Sequence, residues 1–522
     1  MKKHLQNLFI AFFLFLVIPA TSQDIELNWS KEYQTKEFAK NYPSLIAKDN
    51  NYFYGAFYKK NELTILKFDR ETLTKTEVYS ILLKSKNVKY RTFEFIKFVK
   101  GKFYIFTSEY SKSKDKFYLF CTKLSSDGEI ELEDEIIESY EAKKSKYVGN
   151  YRNELSSDSS SLILFHNFYL KSKKDKESFA FKIFNLETLE LISDVDATLP
   201  YKDNDFSLED ILMDSKNKVW IKCSLYDKET KQDYSKLLFF NTGVSNDLEE
   251  IDFETKSKSK KQTYYGSWAF SFDETDNLLC FGNYGEKVGR KYSGYKGVFT
   301  LKLDANTRDV INEDYKKFEI KQIEEAGGKK AVKKDKGVTN IKMKDVFKIG
   351  NSTFIISEIS YSYESCQTTT TNGVTTTKCV YHFVNNNIFV TKMNESGTIE
   401  WIKTINKYQN VTGTNAYNSF CNSKSLPIKF VYLDAAKKFK KNPNADDYNN
   451  LDKRYTMVNP LKSTATYAEI DDNGVVSITP LFNTKDADKY ILKPQSSLQL
   501  NDNEIILYAV KGKKIKFLKA KF

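Results

Sequence analysis

The chain has 522 residues, of which 81 are Lys or Arg and 69 are Asp or Glu, so its formal net charge is +12. Only six of these residues are arginines, whose planar, bidentate side chain dominates phosphate and base recognition. The composition therefore argues against a nucleic-acid partner. The 39 Phe and 34 Tyr, set against 20 Gly and 8 Pro, favour a β-rich protein.

The N-terminus has the pattern of a removable signal peptide. Lys2 and Lys3 precede an apolar run at residues 8–18, which is too short to cross a bilayer, and Ala20-x-Ser22 suits signal peptidase. We therefore predict a signal peptide at 1–22 and one mature domain at 23–522, located in the periplasm, at the cell surface or outside the cell. No Cys precedes Cys121, which excludes a lipid-anchored signal, and no later segment is apolar and long enough to span a membrane.

Pairs of aromatic and β-branched runs recur along the chain, as in NYFYGAFY from Asn51 and ELTILKF from Glu62. A turn-forming or small polar residue ends each second run, with a spacing of roughly 55 to 60 residues where no long insertion intervenes. These residues are Asp69, Ser125, Asn185, Asn241, Asp304, Asn394 and Asp471. The period predicts an all-β propeller of seven or eight blades, with eight favoured. Two consecutive β-sandwich domains are the alternative.

The two chain ends predict that the ring closes. The last unit stops at Phe522, the position that matches Phe68 in the first unit, so its outer strand is missing. IELNWSKEY at 25–33 resembles TIEWIKTINKY at 398–408, which occupies an outer-strand position. We therefore expect the N-terminal strand to complete the last blade.

Two segments resemble uncharacterised exported proteins of Gram-negative bacteria. The first runs from Asp345 to Gln409 and contains DVFKIGNSTFIISEISYSYES, YHFVNNNIFVTKM and GTIEWIKTINKYQ; the second is PLFNTKDADKYILKPQSSLQLNDNEIILYAVKGKKIKF at 480–517. The resemblance covers roughly the last third of the chain. It implies a secreted, propeller-like protein of unknown function and provides no catalytic residues.

No familiar catalytic motif is present. The chain lacks HExxH, GxSxG, Walker and GxGxxG patterns, so we predict no catalytic, cofactor or metal residues. The mature histidines His166 and His382 lie in different units, and we expect both to be structural. Acidic runs at 132–139 and 207–214 are typical of solvated turns. DDNG from Asp471 and NPNADD from Asn442 lack the ligand spacing of a calcium loop.

Three Lys-rich stretches, at 256–261, 329–336 and 437–441, fall in connections between strands. Exposed loops explain them most simply. Alternatively, they form a positive rim that attracts an acidic polysaccharide or another anionic envelope component.

The sequence therefore favours a secreted or periplasmic, non-enzymatic binding or scaffold protein, with its ligand on the loop face near the ring axis. The alternative is a carbohydrate-active hydrolase or lyase that uses carboxylate or Tyr catalysis in a central cleft. A third hypothesis is a structural component of a surface-export or adhesion assembly, which would expose a large aromatic patch.

Cys366 and Cys379 are expected to form a disulfide. Asn372-Gly373 between them is the strongest two-residue signal for a type I′ hairpin, and this turn places Cys366 directly opposite Cys379 in a non-hydrogen-bonded pair. Export supplies an oxidising compartment. Cys121, Cys223 and Cys280 are expected to be buried strand residues.

The signal-peptide hypothesis predicts that the native protein begins at Gln23. Intact-mass measurement of the exported protein should give the mass of residues 23–522. A mass that includes Met1 would contradict the predicted cleavage.

Overall fold

The computed structural model describes residues 25–38, 42–84, 90–141, 151–167, 175–228, 232–242, 248–252, 261–288, 291–451 and 453–522. The predicted signal peptide lies outside these ranges. The described strands form eight antiparallel sheets, each with four strand positions from its inner to its outer edge. These sheets are the blades of an eight-bladed propeller. The all-β prediction and the favoured count of eight blades are confirmed.

Two N-terminal strands precede the first blade, β1 (Glu26–Trp29) and β2 (Tyr33–Gln34). Blades 1 to 4 then follow in chain order, each with four strands running from the inner to the outer position. Blade 1 is β3 (Ser44–Lys48), β4 (Tyr52–Lys59), β5 (Glu62–Asp69) and β6 (Lys75–Leu82); blade 2 is β7 (Thr92–Val99), β8 (Lys102–Ser111), β9 (Lys116–Ser125) and β10 (Ile130–Glu141); blade 3 is β11 (Tyr151–Leu155), β12 (Ser161–Asn167), β13 (Lys176–Asn185) and β14 (Leu191–Lys202); blade 4 is β15 (Phe206–Met213), β16 (Val219–Asp227), β17 (Gln232–Phe240) and β18 (Leu248–Asp252).

Blades 5 to 8 use the same order, but blade 6 gains an extra strand and the inner strand of blade 8 is split. Blade 5 is β19 (Lys261–Phe272), β20 (Leu278–Val288), β21 (Lys291–Leu303) and β22 (Val310–Lys317); blade 6 is β23 (Ile341–Ile349), β24 (Ser352–Thr371), β25 (Val374–Met393) and β26 (Ile399–Ile405), with β27 (Gln409–Thr412) added beside β25; blade 7 is β28 (Phe420–Asn422), β29 (Ile428–Ala435), β30 (Ser463–Ile470) and β31 (Val476–Asn483); blade 8 is β32 (Ile491–Leu492) and β33 (Leu498–Asn501), then β34 (Glu504–Lys511) and β35 (Lys514–Lys521).

Three short helices lie in the connections of blades 5 to 7. They are α1 (Ile320–Gly327) and α2 (Lys329–Lys333) between blades 5 and 6, and α3 (Ala436–Lys441) within blade 7. Single 3-10 turns occur at Thr35–Phe38, Asp203–Asp205, Pro460–Lys462 and Pro494–Ser496. None of the helices in the described part of the chain is long and apolar enough to cross a membrane.

The N-terminal strand completes blade 8, as predicted. β1 pairs antiparallel with β35, with Glu26 opposite Lys521 and Trp29 opposite Leu518. β2 continues along the same edge, where Tyr33 lies opposite Ile515. The hydroxyl of the fully buried Tyr33 donates to the carbonyl of Leu73 at 2.8 Å, which ties this segment to blade 1 as well.

Apolar cores lie between neighbouring blades. Each consecutive pair of blades shares at least one buried cluster, and so do the last and the first blade. Between blades 8 and 1, the ring centroid of Phe517 lies 5.4 Å from that of Phe53 and 4.9 Å from that of Phe68. The aromatic richness of the sequence therefore fills the spaces between blades.

The polar residues that defined the sequence repeat begin the turns between third and outer strands. The Asp304 carboxylate accepts hydrogen bonds from the backbone N–H groups of Asn306 and Thr307, both at 2.8 Å. Asn185 makes the equivalent contacts with Glu187 and Thr188 at 2.9 and 3.0 Å. Such side-chain caps fix the start of a tight turn, which is why Asp and Asn recur at this position.

The inner strands of blades 1, 2, 4, 5, 6 and 8 each contain one more residue than the segment of the second strand that they oppose. The extra residue is Glu94 in blade 2, Glu209 in blade 4 and Lys344 in blade 6. These are β-bulges, which bend a strand and re-aim its side chains.

The long connections are concentrated on one face of the propeller. Because strands alternate in direction, loops between second and third strands share a face with the connections between blades. This face carries α1 and α2, the extended β24–β25 hairpin, the 406–419 connection and the 436–462 insertion of blade 7. We refer to it as the insertion face.

The β24–β25 hairpin extends well beyond its blade, and we refer to residues 360–385 as the arm. Thr371 and Val374 flank the Asn372-Gly373 turn, in which both central residues have positive φ, as a type I′ turn requires. Cys366 lies opposite Cys379, with a Cα–Cα distance of 4.0 Å, and the two form a disulfide. The turn and register agree with the sequence prediction, as does the burial of Cys121, Cys223 and Cys280.

Loss of the N-terminal strands should open the ring. Deleting residues 23–33 removes β1 and the buried Tyr33 ring, so the midpoint of thermal unfolding should fall markedly. Tyr33→Ala alone should cost about 3–5 kcal/mol of unfolding free energy in urea titrations, as for other buried aromatic residues. An unchanged midpoint after the deletion would contradict closure through β1.

The arm should contain the Cys366–Cys379 bond in the native protein. Peptide mapping without reductant should recover the two cysteines in one linked peptide pair, because the hairpin register brings their side chains together on one face. Alkylation of both thiols in the native protein would contradict the bond.

Candidate functional site

A cleft of about 520 Å³ lies on the insertion face. Its walls are formed by helices α1 and α2, by Asn406 and Tyr408, by Lys438 of α3, and by residues 448–451 and 453–455 of the blade 7 insertion. The cleft therefore lies between connections of the neighbouring blades 5, 6 and 7. Its volume lies within the usual range for small-ligand sites.

Arg454 fixes one wall of the cleft. Its guanidinium donates to the backbone carbonyls of Glu324, at 2.7 Å, and Glu325, near the C-terminal end of α1. The guanidinium also lies 5.0 Å from the ring centroid of Tyr408. One side chain thus links the blade 7 insertion to α1 and to the 406–408 connection.

Two asparagines join the insertion to the floor of the cleft. The Asn406 backbone N–H donates to the Asn449 side-chain oxygen at 2.7 Å, and the Asn406 amide donates to the Asn449 carbonyl at 2.8 Å. The Asn449 amide donates in turn to the carbonyl of Thr404 at 2.9 Å. The walls are therefore held by directional hydrogen bonds and do not rest on apolar packing alone.

A buried ion pair supports this floor from below. Lys407 and Glu358 are both fully buried, and Nζ lies 2.6 Å from Oε1. The second Glu358 oxygen accepts from Asn385 at 2.7 Å and Ser419 at 2.8 Å, and Lys344 lies 3.0 Å away. Burial alone would raise the pKa of Glu358, but Lys407 and Lys344 outweigh it, so the pKa is lowered and the carboxyl stays ionised.

The lining of the cleft is positively charged overall. Its described residues include five cationic side chains and two carboxylates: Lys321, Lys329, Lys438, Lys453 and Arg454, with Glu324 and Glu325. Lys438 pairs with Asp434 at 2.8 Å. The exposed Lys329 and Lys453 have no acidic partner within 4.0 Å in the part of the chain that the structure describes. These two ammonium groups can therefore bind an anion.

Tyrosines and amides supply the remaining polar surface. Tyr408, Tyr448 and Tyr455 line the cleft together with Asn406, Asn449 and Asn450. Burial raises the pKa of Tyr408, even though Arg454 acts against it, so its phenol stays protonated. The Tyr408 and Tyr448 hydroxyls donate to the carbonyls of Glu325 and Pro443, both at 3.3 Å, so the tyrosines offer mainly their aromatic faces, which are suited to packing against sugar rings.

The Lys-rich stretches of the sequence contribute to this site unequally. Lys329 and Lys438 line the cleft. Lys437 and Lys440 belong to the same helix as Lys438 but line a separate apolar groove of about 870 Å³. Most of the stretch at 256–261 lies outside the described residues. The sequence did not indicate Arg454, Asn406 or Asn449, because their roles depend on contacts between distant segments.

The acidic runs are distributed over structural positions. Glu138 of the 132–139 run is buried and accepts from the Tyr151 hydroxyl at 2.6 Å. In the 207–214 run, Glu209 pairs with Lys222 at 2.8 Å. Asp210 and Glu154 line a pocket of only about 160 Å³ between blades 3 and 4, where burial raises the pKa of Asp210.

The acidic turns and the two histidines occupy different environments. Asp472 of DDNG pairs with Lys392 at 2.8 Å, and Asp447 of NPNADD accepts from the Asn449 backbone N–H at 2.7 Å. His166 is buried and stacks on Tyr140 with a centroid distance of 4.8 Å, and burial lowers its pKa to about 4. His382 is partly exposed at the base of the arm.

No protein-family model matches the chain, and no curated protein matches it in sequence. Similar solved structures include the Dos1 propeller (11% identity, 94% of this chain and 94% of the other, TM-score 0.39) and the polysaccharide lyase Uly1 (10%, 82% and 90%, TM-score 0.37). A third is the β-propeller domain of the Trilobed protease from Pyrococcus furiosus (10%, 84% and 94%, TM-score 0.34). At these TM-scores, the similarities carry no functional implication.

Proposed function

We propose that this chain is an exported binding or scaffold module that holds an acidic polysaccharide in the cleft of the insertion face. The observation that carries the proposal is the excess of cationic side chains around an aromatic and amide-lined cleft. Carboxylates of the polysaccharide would meet Lys329 and Lys453, and sugar rings would pack against the tyrosine faces that line the cleft. The resemblance of the sequence to exported proteins supports a location outside the cytoplasm, where such polysaccharides occur.

Electrostatics sets the strength of such binding. Lys329 and Lys453 are exposed, so each contact with a carboxylate is screened by solvent and salt and contributes at most about 1 kcal/mol. A single uronate would therefore bind weakly. An oligosaccharide that spans the cleft gains several such contacts at once.

The binding hypothesis predicts that oligogalacturonate binds and that uncharged maltohexaose does not. In isothermal titration calorimetry, Lys329→Ala/Lys453→Ala should weaken oligogalacturonate binding about tenfold to thirtyfold, because two charge contacts are lost. Binding should also weaken as salt rises from 50 to about 200 mM, where screening becomes short-ranged.

The matched control is Lys437→Ala/Lys440→Ala, which removes the same charge from side chains that line the neighbouring groove. Its affinity should equal that of the unmodified protein, as should that of His166→Ala and His382→Ala. Equal weakening in both double-lysine variants would indicate a general charge effect and contradict the cleft. Absence of oligogalacturonate binding would contradict the proposal as a whole.

The second candidate is a polysaccharide lyase or hydrolase acting in the same cleft. It is favoured by the position of Arg454 over Tyr408 and by Glu325, whose pKa burial raises. Against it, the pKa of Tyr408 is also raised, and Arg454 is engaged with backbone carbonyls. Ultraviolet absorbance by an unsaturated product, or new reducing ends, during incubation with oligogalacturonate would favour this candidate over binding alone.

A further inference from the structure

Three polar side chains form a continuous hydrogen-bonded chain at the base of the arm. The Ser365 hydroxyl lies 2.7 Å from Nε2 of His382. The other ring nitrogen, Nδ1, lies 3.3 Å from the side-chain oxygen of Asn410. A hydroxyl, an imidazole and an orienting oxygen connected in this order are the components of an activated serine nucleophile.

Neighbouring contacts determine which imidazole nitrogen carries the proton. The Asn410 amide nitrogen donates to the Tyr363 hydroxyl at 3.2 Å, so the Asn410 oxygen is the atom that faces His382. An oxygen acceptor beside Nδ1 requires the proton on Nδ1, which leaves the lone pair of Nε2 directed at Ser365. The Tyr363 ring also stacks on the imidazole, with centroids 4.5 Å apart and planes 2° apart, and this fixes the ring plane.

The strand register brings these residues to one face. Tyr363 lies opposite His382, and Ser365 follows two residues later on the same strand, so its side chain shares that face. On the other edge of β25, β27 places Asn410 opposite Val384, two residues from His382. Cys366, next to Ser365, is linked to Cys379. Because a slip of one residue would move Ser365 to the opposite face, this bond holds the nucleophile beside its base.

We propose that Ser365 is the nucleophile of an acyl-transfer site, with His382 as its general base and Asn410 as a positioning residue. Ser365 Oγ bonds to the carbonyl carbon of a carboxylic ester while His382 Nε2 takes the hydroxyl proton. The bond from that carbon to the alcohol oxygen then breaks, and the alcohol leaves with the proton from His382. Water, deprotonated by His382 Nε2, then bonds to the acyl carbon, the bond from that carbon to Ser365 Oγ breaks, and Oγ regains the proton from His382 as the acid leaves.

The surroundings indicate the class of substrate. The site is an open sheet face and not a pocket, so it suits an ester group carried on a larger molecule that lies across the arm. Lys378 and Gln367 lie opposite each other and occupy exposed positions on the Ser365 face. Their side-chain N–H groups can donate to the oxygen that gains negative charge as Ser365 adds. O-acyl esters are the class that this arrangement fits.

This inference departs from the sequence-based expectation that His382 is structural. It does not rest on the proposed polysaccharide binding, because none of the three hydrogen-bonded residues, Ser365, His382 and Asn410, lines the cleft. Binding of oligogalacturonate and reactivity of Ser365 can therefore fail separately.

The test is covalent labelling of the full-length exported protein with a biotinylated fluorophosphonate, followed by peptide mass spectrometry. The adduct is expected on Ser365. His382→Ala should slow its formation by about a hundredfold or more, the usual contribution of a positioned general base. Asn410→Ala should also slow labelling, whereas Asn410→Asp, which keeps an oxygen toward Nδ1, should restore it. Reduction of the Cys366–Cys379 bond should lower labelling.

Ser362→Ala is the matched control, since Ser362 lies on the same strand but on the opposite face. It should label as the unmodified protein does, and so confirm that the arm is folded. Release of 4-nitrophenol from 4-nitrophenyl acetate should follow the same order among the variants. Absence of an adduct on Ser365, or equal labelling rates in the unmodified protein and His382→Ala, would overturn the proposal.

Discussion

The pairing of β1 with β35 is the constraint on which the rest of the molecule depends. Each blade buries its apolar side chains against two neighbours, and only a closed ring gives every blade both of them. Closure joins the two ends of the described chain, since Glu26 lies opposite Lys521. The Phe517 contacts with Phe53 and Phe68 then cover an interface that an open array would expose. The entropy of closing the intervening chain opposes pairing between such distant residues, and the buried contacts at this interface offset that cost.

Much of this fold is encoded locally and could be predicted from the sequence. Asp304 and Asn185 mark the turn after a third strand because their side chains accept backbone N–H groups there, whatever the rest of the blade does. The Asn372-Gly373 turn sets the arm register by itself. Other features depend on contacts between distant segments. Nothing near α1 indicates that Arg454, more than a hundred residues later, holds its C-terminal end.

In the candidate sites, too, the residues placed by local sequence could be predicted and those placed by distant segments could not. The Lys-rich stretch at 329–336 identified Lys329 as a residue of the cleft. The stretch at 437–441 was a poorer guide, because Lys438 is buried against Asp434 and Lys437 lines a different groove. The hairpin register also contained the information that Ser365 and His382 share a face. It could not reveal Asn410, which lies on β27, a strand that joins blade 6 from beyond the outer strand β26 and begins two residues after the buried Lys407.

The bulges of the inner strands have a consequence for recognising this architecture in other chains. An extra residue in the inner strands of six blades, but not in that of blade 3, shifts the alternation of side chains by one position. An ungapped comparison of blades would then align positions on one face of a blade with positions on the opposite face of the next. Similarity between units should concentrate after the bulge, in the second and third strands and the capped turn that follows. Profiles built from that part alone would detect divergent blades that whole-unit alignments miss.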